Sequence, residues 1–565
     1  INFAGKAITL IINGKPTTLD YSQIIERLKA MPASQLAKAE VMLSAPARLH
    51  VRGMAINLVT KDYVGKKLVS GQIQSTWNQS KYGEWQGKGN LLLQKGKLGL
   101  DAMYSFTDGT SYGETNSDAN HPLLGKRVAY QDKTSQKTDG LTHNYRLGLS
   151  YALADNHQLS LAYTGKWDSS HSHHETIGAS TSQQHGNEHI YLHNIDASYT
   201  LPFGLQLGMS YLYYKDPRQQ NLEGTMLNEE RTIETNSKQV IDKWLFTADQ
   251  SHSLKHGWEL SYGMKFQRSN NRSYQTTINK NGTEIPDATS QVNIEERILS
   301  VYGGISKQLN ERISLEASAE AEQYHSPQWN KWHVYPTLNA LWKANPSNIL
   351  NLSFSSNSKF PSYWSTMNSI YYASTYMEIW GNPNLKPCST YETSLMWTLK
   401  SRYTLMAFAK FQPKYSVQLP YQPTDHLAVI MKETNFDYNH TMGIQASASF
   451  CMGSWLNGNI SATGIYRHDK SNDFFDLPFN RKHISAILGG KLSARLSRSH
   501  HIHFILTPFY QSKAIQGLYD INSVFRLNAM LRWTSDNGKW SIVATGHNIF
   551  NEGFTTKSVQ GNQDY

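Results

Sequence analysis

The sequence predicts a large, closed antiparallel β-barrel that crosses a membrane, preceded by a small α/β unit. The first observation is that apolar and polar side chains alternate along most of the chain. In Gly257–Gln267, every second residue from Trp258 to Phe266 is apolar, and the residues between them are polar or glycine. Such alternation is typical of a strand whose two faces meet unlike surroundings. Strands with one apolar face, each long enough to cross a bilayer and repeated many times, indicate an outer-membrane barrel.

The second observation is that short turns alternate with long polar loops. Short turns are predicted at Asp155-Asn156, Pro202–Gly204, Asn310-Glu311 and Asp536–Gly538. Long loops are predicted at 108–141, 169–187, 216–239, 270–293, 359–388 and 414–435. Bacterial outer-membrane barrels have short periplasmic turns and longer outer loops, so we expect nearly all long loops on the outer side of the membrane.

The third observation is the number of strands. Twenty-one segments from Lys67 onwards fit the strand pattern. Bacterial single-chain barrels have an even number of strands, so we expect a barrel of about 22 strands in residues 64–565, with its last strand missing from this sequence. A merged or split strand is the alternative explanation of the odd number.

The composition agrees with a barrel and excludes other classes. No run approaches the roughly 20 apolar residues that a spanning helix needs, which excludes a helical membrane protein. The 32 tyrosines and 14 tryptophans suit a barrel with aromatic residues at both membrane interfaces. The formal charge of +10 is dispersed and forms no basic stripe, so no nucleic-acid partner is expected. Cys388 and Cys451 are predicted at opposite ends of the wall, too far apart for a disulfide.

Residues 1–63 lack the repeating pattern and predict a small α/β unit. Strands are expected at Ile8–Ile12, Ala39–Leu43 and Ala55–Thr60, and a helix at Tyr21–Met31. The chain has no secretory signal and opens inside a strand-like run. Because an outer-membrane protein needs an export signal, we expect this start to be processed or truncated.

Short motifs in both parts of the chain resemble one family. Gly381–Pro387 (GNPNLKP) is similar to a GNPxLKPE segment, with Cys388 in place of the glutamate, and His547–Asn551 (HNIFN) is similar to an NlFn segment before the last strand. Ala39–Lys61, with AEV, SAPAR and INLVTK in this order, is similar to the back part of a plug domain. These segments resemble the TonB-dependent receptors, particularly the outer-membrane barrel proteins of Bacteroidota.

The resemblance implies a barrel filled by the N-terminal plug and a role in active import. A ligand would bind to the outer loops and the plug, and the TonB–ExbB–ExbD complex would supply the energy. A surface lipoprotein is a further possible partner, and outer-membrane lipid surrounds the barrel. The alternative is a barrel that does not transport and serves as a scaffold or assembly partner. Siderophores, haem, cobalamin, oligosaccharides and peptides all remain open as ligands.

Three groups of residues are candidates for a site. Aromatic rings in the loop 359–388 could stack on a ligand or instead pack the loop over the barrel mouth: Tyr363, Trp364, Tyr371, Tyr372, Tyr376 and Trp380. Histidines in the loop 169–187 could bind a transition metal or simply belong to a polar loop: His171, His173 and His174.

Glu316 and Glu320 lie on the polar face of one strand, and this face must be turned to the lumen because carboxylates facing lipid would be costly. In the lumen, the plug residues Arg48 and Arg52 could contact them. No catalytic set or cofactor motif is recognisable, so neither an enzyme nor a cofactor is expected.

Overall fold

The main body of the protein is a closed barrel of twenty-one strands. The computed structural model describes residues 2–3, 6–12, 14, 36–61, 67–154, 157–475, 477–553, 555–558 and 563–565. Consecutive barrel strands pair antiparallel, from the hairpin at Lys67↔Lys95 to that at Thr534↔Ser541. The large antiparallel barrel predicted from the alternation is therefore confirmed.

The barrel strands keep the chain order and are interrupted only by small sheets at one end. Their bounds are β6 Lys67–Gln79, β7 Gly83–Lys95, β8 Leu98–Leu123, β9 Lys126–Ala154, β10 His157–Gly178, β11 Ser180–Thr200, β12 Gln206–Met226, β13 Glu229–Ser253, β14 Trp258–Asn279, β15 Ser290–Gln308, β16 Ile313–His325, β17 Asn330–Asn345, β18 Asn348–Lys359, β21 Cys388–Leu399, β22 Tyr403–Pro413, β25 Tyr438–Met452, β26 Leu456–Ser471, β27 Phe479–Ser497, β28 Ile502–Gln511, β31 Val524–Thr534 and β32 Ser541–Gly546.

Four of the predicted long loops are wrong, because most of their residues belong to barrel strands. β8 and β9 stay paired up to Leu123↔Lys126, and β12 and β13 stay paired up to Met226↔Glu229. Beyond the membrane both faces of a hairpin meet water, so polar residues occupy both faces and the alternation disappears. The ladder continues, since backbone groups alone form it. The predicted loops 108–141, 169–187, 216–239 and 270–293 are therefore tall hairpins.

The alternation places apolar residues on the membrane side and polar residues in the lumen. On β16, Leu315 is 40% exposed on the outside, whereas Glu320 and Glu322 are 2% and 3% exposed on the inside. The connections opposite the tall hairpins are short, from two residues at 96–97 to six at 535–540. By the usual asymmetry of such barrels, these turns mark the periplasmic end.

A small three-stranded sheet lies inside the barrel. It consists of β3 (Thr9–Ile12), β4 (Leu36–Met42) and β5 (Ala55–Thr60), in the order β3-β5-β4, with β3 parallel and β4 antiparallel to β5. Two-residue strands β1 (Asn2–Phe3) and β2 (Lys6–Ala7) pair with each other. The predicted helix Tyr21–Met31 lies outside the described residues.

This inner sheet contacts opposite parts of the wall. Leu10 packs against Leu192 and Leu212 of β11 and β12. Leu43 belongs to a cluster with Met406 of β22. We call residues 6–61 of this part, where described, the plug. Within the plug, Glu40 accepts hydrogen bonds from Lys38 and Asn57, and these lower the pKa of its carboxyl below the ordinary 4.5.

Two further small sheets fill the outer mouth of the barrel. One has the order β19-β20-β24-β23 and is formed by β19 (Ile370–Tyr372), β20 (Met377–Trp380), β23 (Ser416–Tyr421) and β24 (Val429–Asn435). The other is formed by β29 (Ala514–Gln516), β30 (Tyr519–Ile521) and β33 (Thr556–Lys557). An apolar cluster centred on Phe436 and Phe474, both 0% exposed, joins them.

Two remaining expectations concern cysteines and helices. Cys388 is buried at the start of β21 and Cys451 is exposed near the end of β25; both are free, as predicted. Among the described residues, no helix has the length and apolar character needed to cross a membrane.

Candidate functional site

The plug meets the barrel wall through a buried cluster of charges around Arg52. Arg52 lies just before β5, and its Nε is 2.9 Å from Glu320 Oε2 while its Nη2 is 2.6 Å from Glu322 Oε2. The guanidinium also lies over the ring of Tyr335, with 3.7 Å between Cζ and the ring centroid. Burial lowers the pKa of Arg52, but attraction to the two carboxylates outweighs this and raises it above the ordinary value. The arginine is therefore charged in the lumen.

A lysine of the barrel completes the charge balance of this cluster. Lys265 of β14 places its Nζ 3.3 Å from Glu320 Oε1 and 3.5 Å from Glu322 Oε2. Ser300 donates a hydrogen bond of 3.1 Å to Glu322 Oε2. Two positive and two negative groups thus offset each other, which a buried ionic cluster requires. Lys265 is one of the polar residues of the alternating segment Gly257–Gln267, but its approach to β16 depends on the barrel geometry.

A second, weaker contact between the plug and β16 joins Arg48 of the plug to Glu316 of this strand. Arg48 Nε is 3.8 Å from Glu316 Oε1, and the two side chains are 44% and 28% exposed. Pairs with this exposure contribute little to stability, because water screens their attraction. The structure thus brings together the four residues Arg48, Arg52, Glu316 and Glu320, with very different degrees of burial.

A histidine of the plug makes a separate contact that the sequence did not reveal. His50 has a left-handed backbone, with φ of 53°, and follows the short turn Ala47–Leu49. Its Nε2 is 2.7 Å from Asp249 Oδ1, which also accepts a 2.9 Å hydrogen bond from the Tyr302 hydroxyl. No local sequence pattern marks this contact, because His50 and Asp249 are 199 positions apart in the chain.

The segment 360–387, which we call the strap, lies in the outer mouth of the barrel. Its first turn is a short helix, Tyr363–Thr366, whose N-cap Ser362 accepts a hydrogen bond from Ser365 N. The Tyr363 hydroxyl donates to Glu296 Oε2 at 2.5 Å, and the Tyr324 hydroxyl donates to the other oxygen of this carboxylate. Burial, followed by the nearby Glu296, raises the pKa of Tyr363 above its ordinary value. Tyr363 therefore anchors the strap to the wall.

Tyr376 fixes the other part of the strap. Its ring stacks on Tyr130 with 3.7 Å between the centroids, and it is only 2% exposed. Its hydroxyl lies 3.1 Å from His121 Nδ1 and accepts a 3.2 Å hydrogen bond from Gln422 Nε2. Burial raises the pKa of Tyr376. This ring is a packing element in the structure.

The remaining candidate aromatics are half-buried and face different neighbours. The Tyr372 ring lies 5.4 Å from Arg231 Cζ, and Trp380 donates from Nε1 to Glu378 at 2.9 Å. Trp364 and Tyr371 are also half-buried. Each of these four rings therefore keeps part of its surface exposed.

The GNPNLKP segment, at the end of the strap, connects it to β24. A Cβ at Gly381 would lie 1.5 Å from the Met367 carbonyl oxygen, so only glycine fits there. Asn382 donates from Nδ2 to the Glu433 carbonyl at 2.9 Å, and Lys386 N donates to Asn435 Oδ1 at 2.7 Å. The motif therefore has a structural role, and Cys388 begins β21 directly after it.

The three candidate metal-binding histidines do not converge. They lie in the strand β10 and not in a loop, so alternation places His171 and His173 on one face and His174 on the other. His173 instead pairs with His185 across the hairpin, at 4.5 Å between ring centroids. In the described part of the chain, no group of three or more His, Cys, Asp or Glu residues could hold a metal ion.

A large outer-membrane barrel with an inner N-terminal sheet and a packed outer mouth defines a class, that of plugged barrels. Residues 204–565, more than half of the chain, match the family described as "Outer membrane protein beta-barrel family". The chain belongs to this family and is an outer-membrane protein.

Several solved receptor structures have a similar fold. The siderophore receptor PirA from Pseudomonas aeruginosa is similar with a TM-score of 0.58 and 13% identity, over 98% of this chain and 91% of that chain. A mutant of the ferric enterobactin receptor PfeA from Pseudomonas aeruginosa, in complex with enterobactin, is similar with a TM-score of 0.61 and 13% identity. The match covers 96% of this chain and 86% of that chain. The alcaligin outer-membrane receptor FauA from Bordetella pertussis is similar with a TM-score of 0.54 and 12% identity, over 96% of this chain and 84% of that chain. The comparison with curated proteins gives no match.

Proposed function

We propose that this protein is a TonB-dependent receptor that actively imports a nutrient across the outer membrane. The observation that carries the proposal is the plug inside the barrel, held by the polar cluster of Arg52, Glu320, Glu322 and Lys265. The siderophore receptors named above have the same fold. In this proposal residues 1–63 are the end of the plug domain and residues 64–565 the barrel.

The kind of contact between plug and wall supports movement. The plug meets β16, β17 and β18 through charged and polar groups; Ala47 N donates to Ser318 Oγ at 3.1 Å, and Asn339 Nδ2 donates to the Ser44 carbonyl at 3.0 Å. Water can replace such hydrogen bonds when the plug shifts, at a small net cost for each bond. A pull transmitted from the periplasm could therefore open a path along this wall.

The partners follow from this function. The TonB–ExbB–ExbD complex would supply the pull, and a surface lipoprotein could cover the outer mouth. The GNPNLKP segment supports the Bacteroidota type of receptor within the proposal. The ligand would first meet Trp364, Tyr371, Tyr372 and Trp380, since these rings are half-buried in the strap, while Tyr363 and Tyr376 hold the strap in place. The proposed activity contains no covalent step and needs no cofactor.

The test is to tether the plug to the wall. Ala47→Cys and Ser318→Cys are introduced together in a background with Cys388→Ser and Cys451→Ser, because Ala47 N and Ser318 Oγ are 3.1 Å apart. A strain lacking the protein, and complemented with each variant, is grown with ferric siderophores, haem, cobalamin, oligosaccharides or peptides as the limiting nutrient. Each single-cysteine variant is the matched control.

Import predicts a clear pattern of growth. The cysteine-free protein and both single variants should support growth on at least one nutrient, the oxidised double variant should not, and a reductant should restore it. Growth should also require TonB. If the oxidised double variant supports growth as well as the single variants do, the plug does not need to move and the scaffold function is favoured.

A further inference from the structure

The membrane-facing wall of the barrel contains an apolar groove. It has a volume of about 660 Å³ and crosses seven neighbouring barrel strands, from Trp397 and Leu399 on β21 to Phe525 on β31. This volume is in the range of small-molecule sites, roughly 300–1,000 Å³. The large side chains that border the groove point to the membrane, since Leu405, Ile460 and Leu488 are 44%, 50% and 47% exposed.

Small residues create the groove by interrupting a row of large ones. Ala446 pairs directly with Ala462 across β25 and β26, so two adjacent positions of the outer face lack bulk. Ala448 pairs with Ile460, and Ile460 pairs with Gly490 on β27. A Cβ at Gly490 would lie 3.4 Å from Ile460 Cγ2, so the glycine gives this side chain room beside it. The small residues form the floor and the neighbouring large side chains form the walls.

One end of the groove reaches the periplasmic edge of the barrel. Leu399 and Tyr403 line it there and flank the turn formed by Lys400, Ser401 and Arg402, all three of which are exposed. The row of cross-strand partners runs perpendicular to strands that tilt by about 45°, so the groove rises obliquely from this edge into the wall. An acyl chain that starts at a headgroup in the inner leaflet follows the same course.

The charges at this end fit an anionic headgroup. Lys400 and Arg402 are both cationic, and the neighbouring periplasmic connections 346–347, 453–455 and 498–501 contain no acidic residue. Basic clusters at the edge of a membrane protein attract anionic lipid headgroups. Two copies of this chain facing each other would be a poor fit, because a two-fold contact would place groove against groove and leave a void.

We propose that this groove binds one acyl chain of an anionic phospholipid of the inner leaflet, with the phosphate of the headgroup held by Lys400 and Arg402. The site is independent of the proposed import, because it lies on the membrane side of the wall, away from the plug and the strap. Its acyl part depends on the small residues of the floor, and its preference for anionic lipid depends on the turn.

The test measures lipid retention by native mass spectrometry. The delipidated, folded protein in detergent is titrated with phosphatidylglycerol or phosphatidylcholine, and the fraction of protein that carries one lipid is measured. Ala446→Leu with Ala462→Leu fills the groove; Ala317→Leu with Ala319→Leu, at two exposed outward positions of β16, is the matched control. Lys400→Gln with Arg402→Gln removes the charges, and Lys255→Gln with Arg312→Gln removes two charges from other exposed periplasmic turns.

We expect the groove-filling pair to weaken the binding of both lipids by roughly tenfold, which corresponds to about 1.4 kcal/mol, and its control pair to leave it unchanged. The charge-removing pair should abolish the preference for phosphatidylglycerol while keeping the binding of phosphatidylcholine. Because this second pair leaves the wall intact, it remains informative if the first pair fails to fold, which heat-dependent gel mobility reveals. Equal lipid binding by the wild type and the folded groove-filling pair would overturn the proposal. So would a dimer in the spectra that the groove-filling pair converts to monomer, because the occupant would then be a second copy.

Discussion

Replacing Arg52 by alanine should release the plug from the wall of the barrel. The substitution leaves Glu320 and Glu322, whose side chains are 3% and 4% exposed, with Lys265 as the one remaining cation among the four charged residues of this cluster. Removing one partner of a buried ion pair costs roughly 3–5 kcal/mol, because it strands an uncompensated charge. We expect the lower end of this range, since Lys265 still offsets one carboxylate.

The assay is hydrogen exchange of backbone amides in the plug. Loss of about 3 kcal/mol from docking should speed the exchange of amides in β5 by on the order of a hundredfold, while amides of the barrel strands exchange as before. Glu320→Gln, added to Arg52→Ala, should recover much of the protection, because Lys265 then faces the single remaining carboxylate of Glu322.

Arg48→Ala is the matched control, because Arg48 and Glu316 are 44% and 28% exposed. Its effect should stay below about 1 kcal/mol, the usual limit for an exposed pair. Equal exchange in the Arg52→Ala and Arg48→Ala variants would refute the reasoning, since burial would then not decide the cost.

Three further predictions concern the strap and the plug. Tyr363→Phe should weaken the anchoring of the strap 360–387 by about 1.5–3 kcal/mol, the usual value of a hydrogen bond to a charged group. Hydrogen exchange in this segment should become faster, and unchanged exchange would contradict the role of the hydroxyl. Gly381→Ala should misplace the strap and expose it to protease, because the new Cβ would lie 1.5 Å from a carbonyl oxygen. The control Gly113→Ala should be cleaved no faster than the wild type, because a Cβ at Gly113 meets no atom within 4 Å. The ionised Glu40 carboxylate stabilises the plug above pH 4.5, and this contribution should be lost as the pH falls through its lowered pKa. Amide exchange rates in β4 should therefore rise with acid less steeply in Glu40→Gln than in the wild type. Equal slopes in the two proteins would contradict the prediction.

The barrel strands could be predicted from the sequence because the side chains of each strand alternate between two different environments. The alternating segment Gly257–Gln267 lies almost entirely in β14, where one face meets lipid and the other the lumen. The hairpin of β8 and β9 shows the limit of this reasoning. Its outer half meets water on both faces, so its residues carry no alternation, although the backbone ladder continues to Leu123↔Lys126.

The site shows the same division. Alternation and the cost of placing carboxylates in lipid predicted that Glu316 and Glu320 face the lumen, and the structure places Arg52 against Glu320. The carboxylate partners of His50 and Tyr363, Asp249 and Glu296, were not predicted. Each of these contacts joins residues more than sixty positions apart, and no local pattern encodes such a distance.

The sequence by itself determined that the protein is a membrane barrel, which way the residues of its alternating segments face, and how many barrel strands it contains. These properties depend on side-chain alternation within a strand, which is local. Only the tertiary structure decided which lumen residues meet the plug, why Gly381 must be glycine, and where small residues on neighbouring strands leave a groove. These depend on the register between strands and on the closure of the barrel, which bring together residues that are distant in the chain.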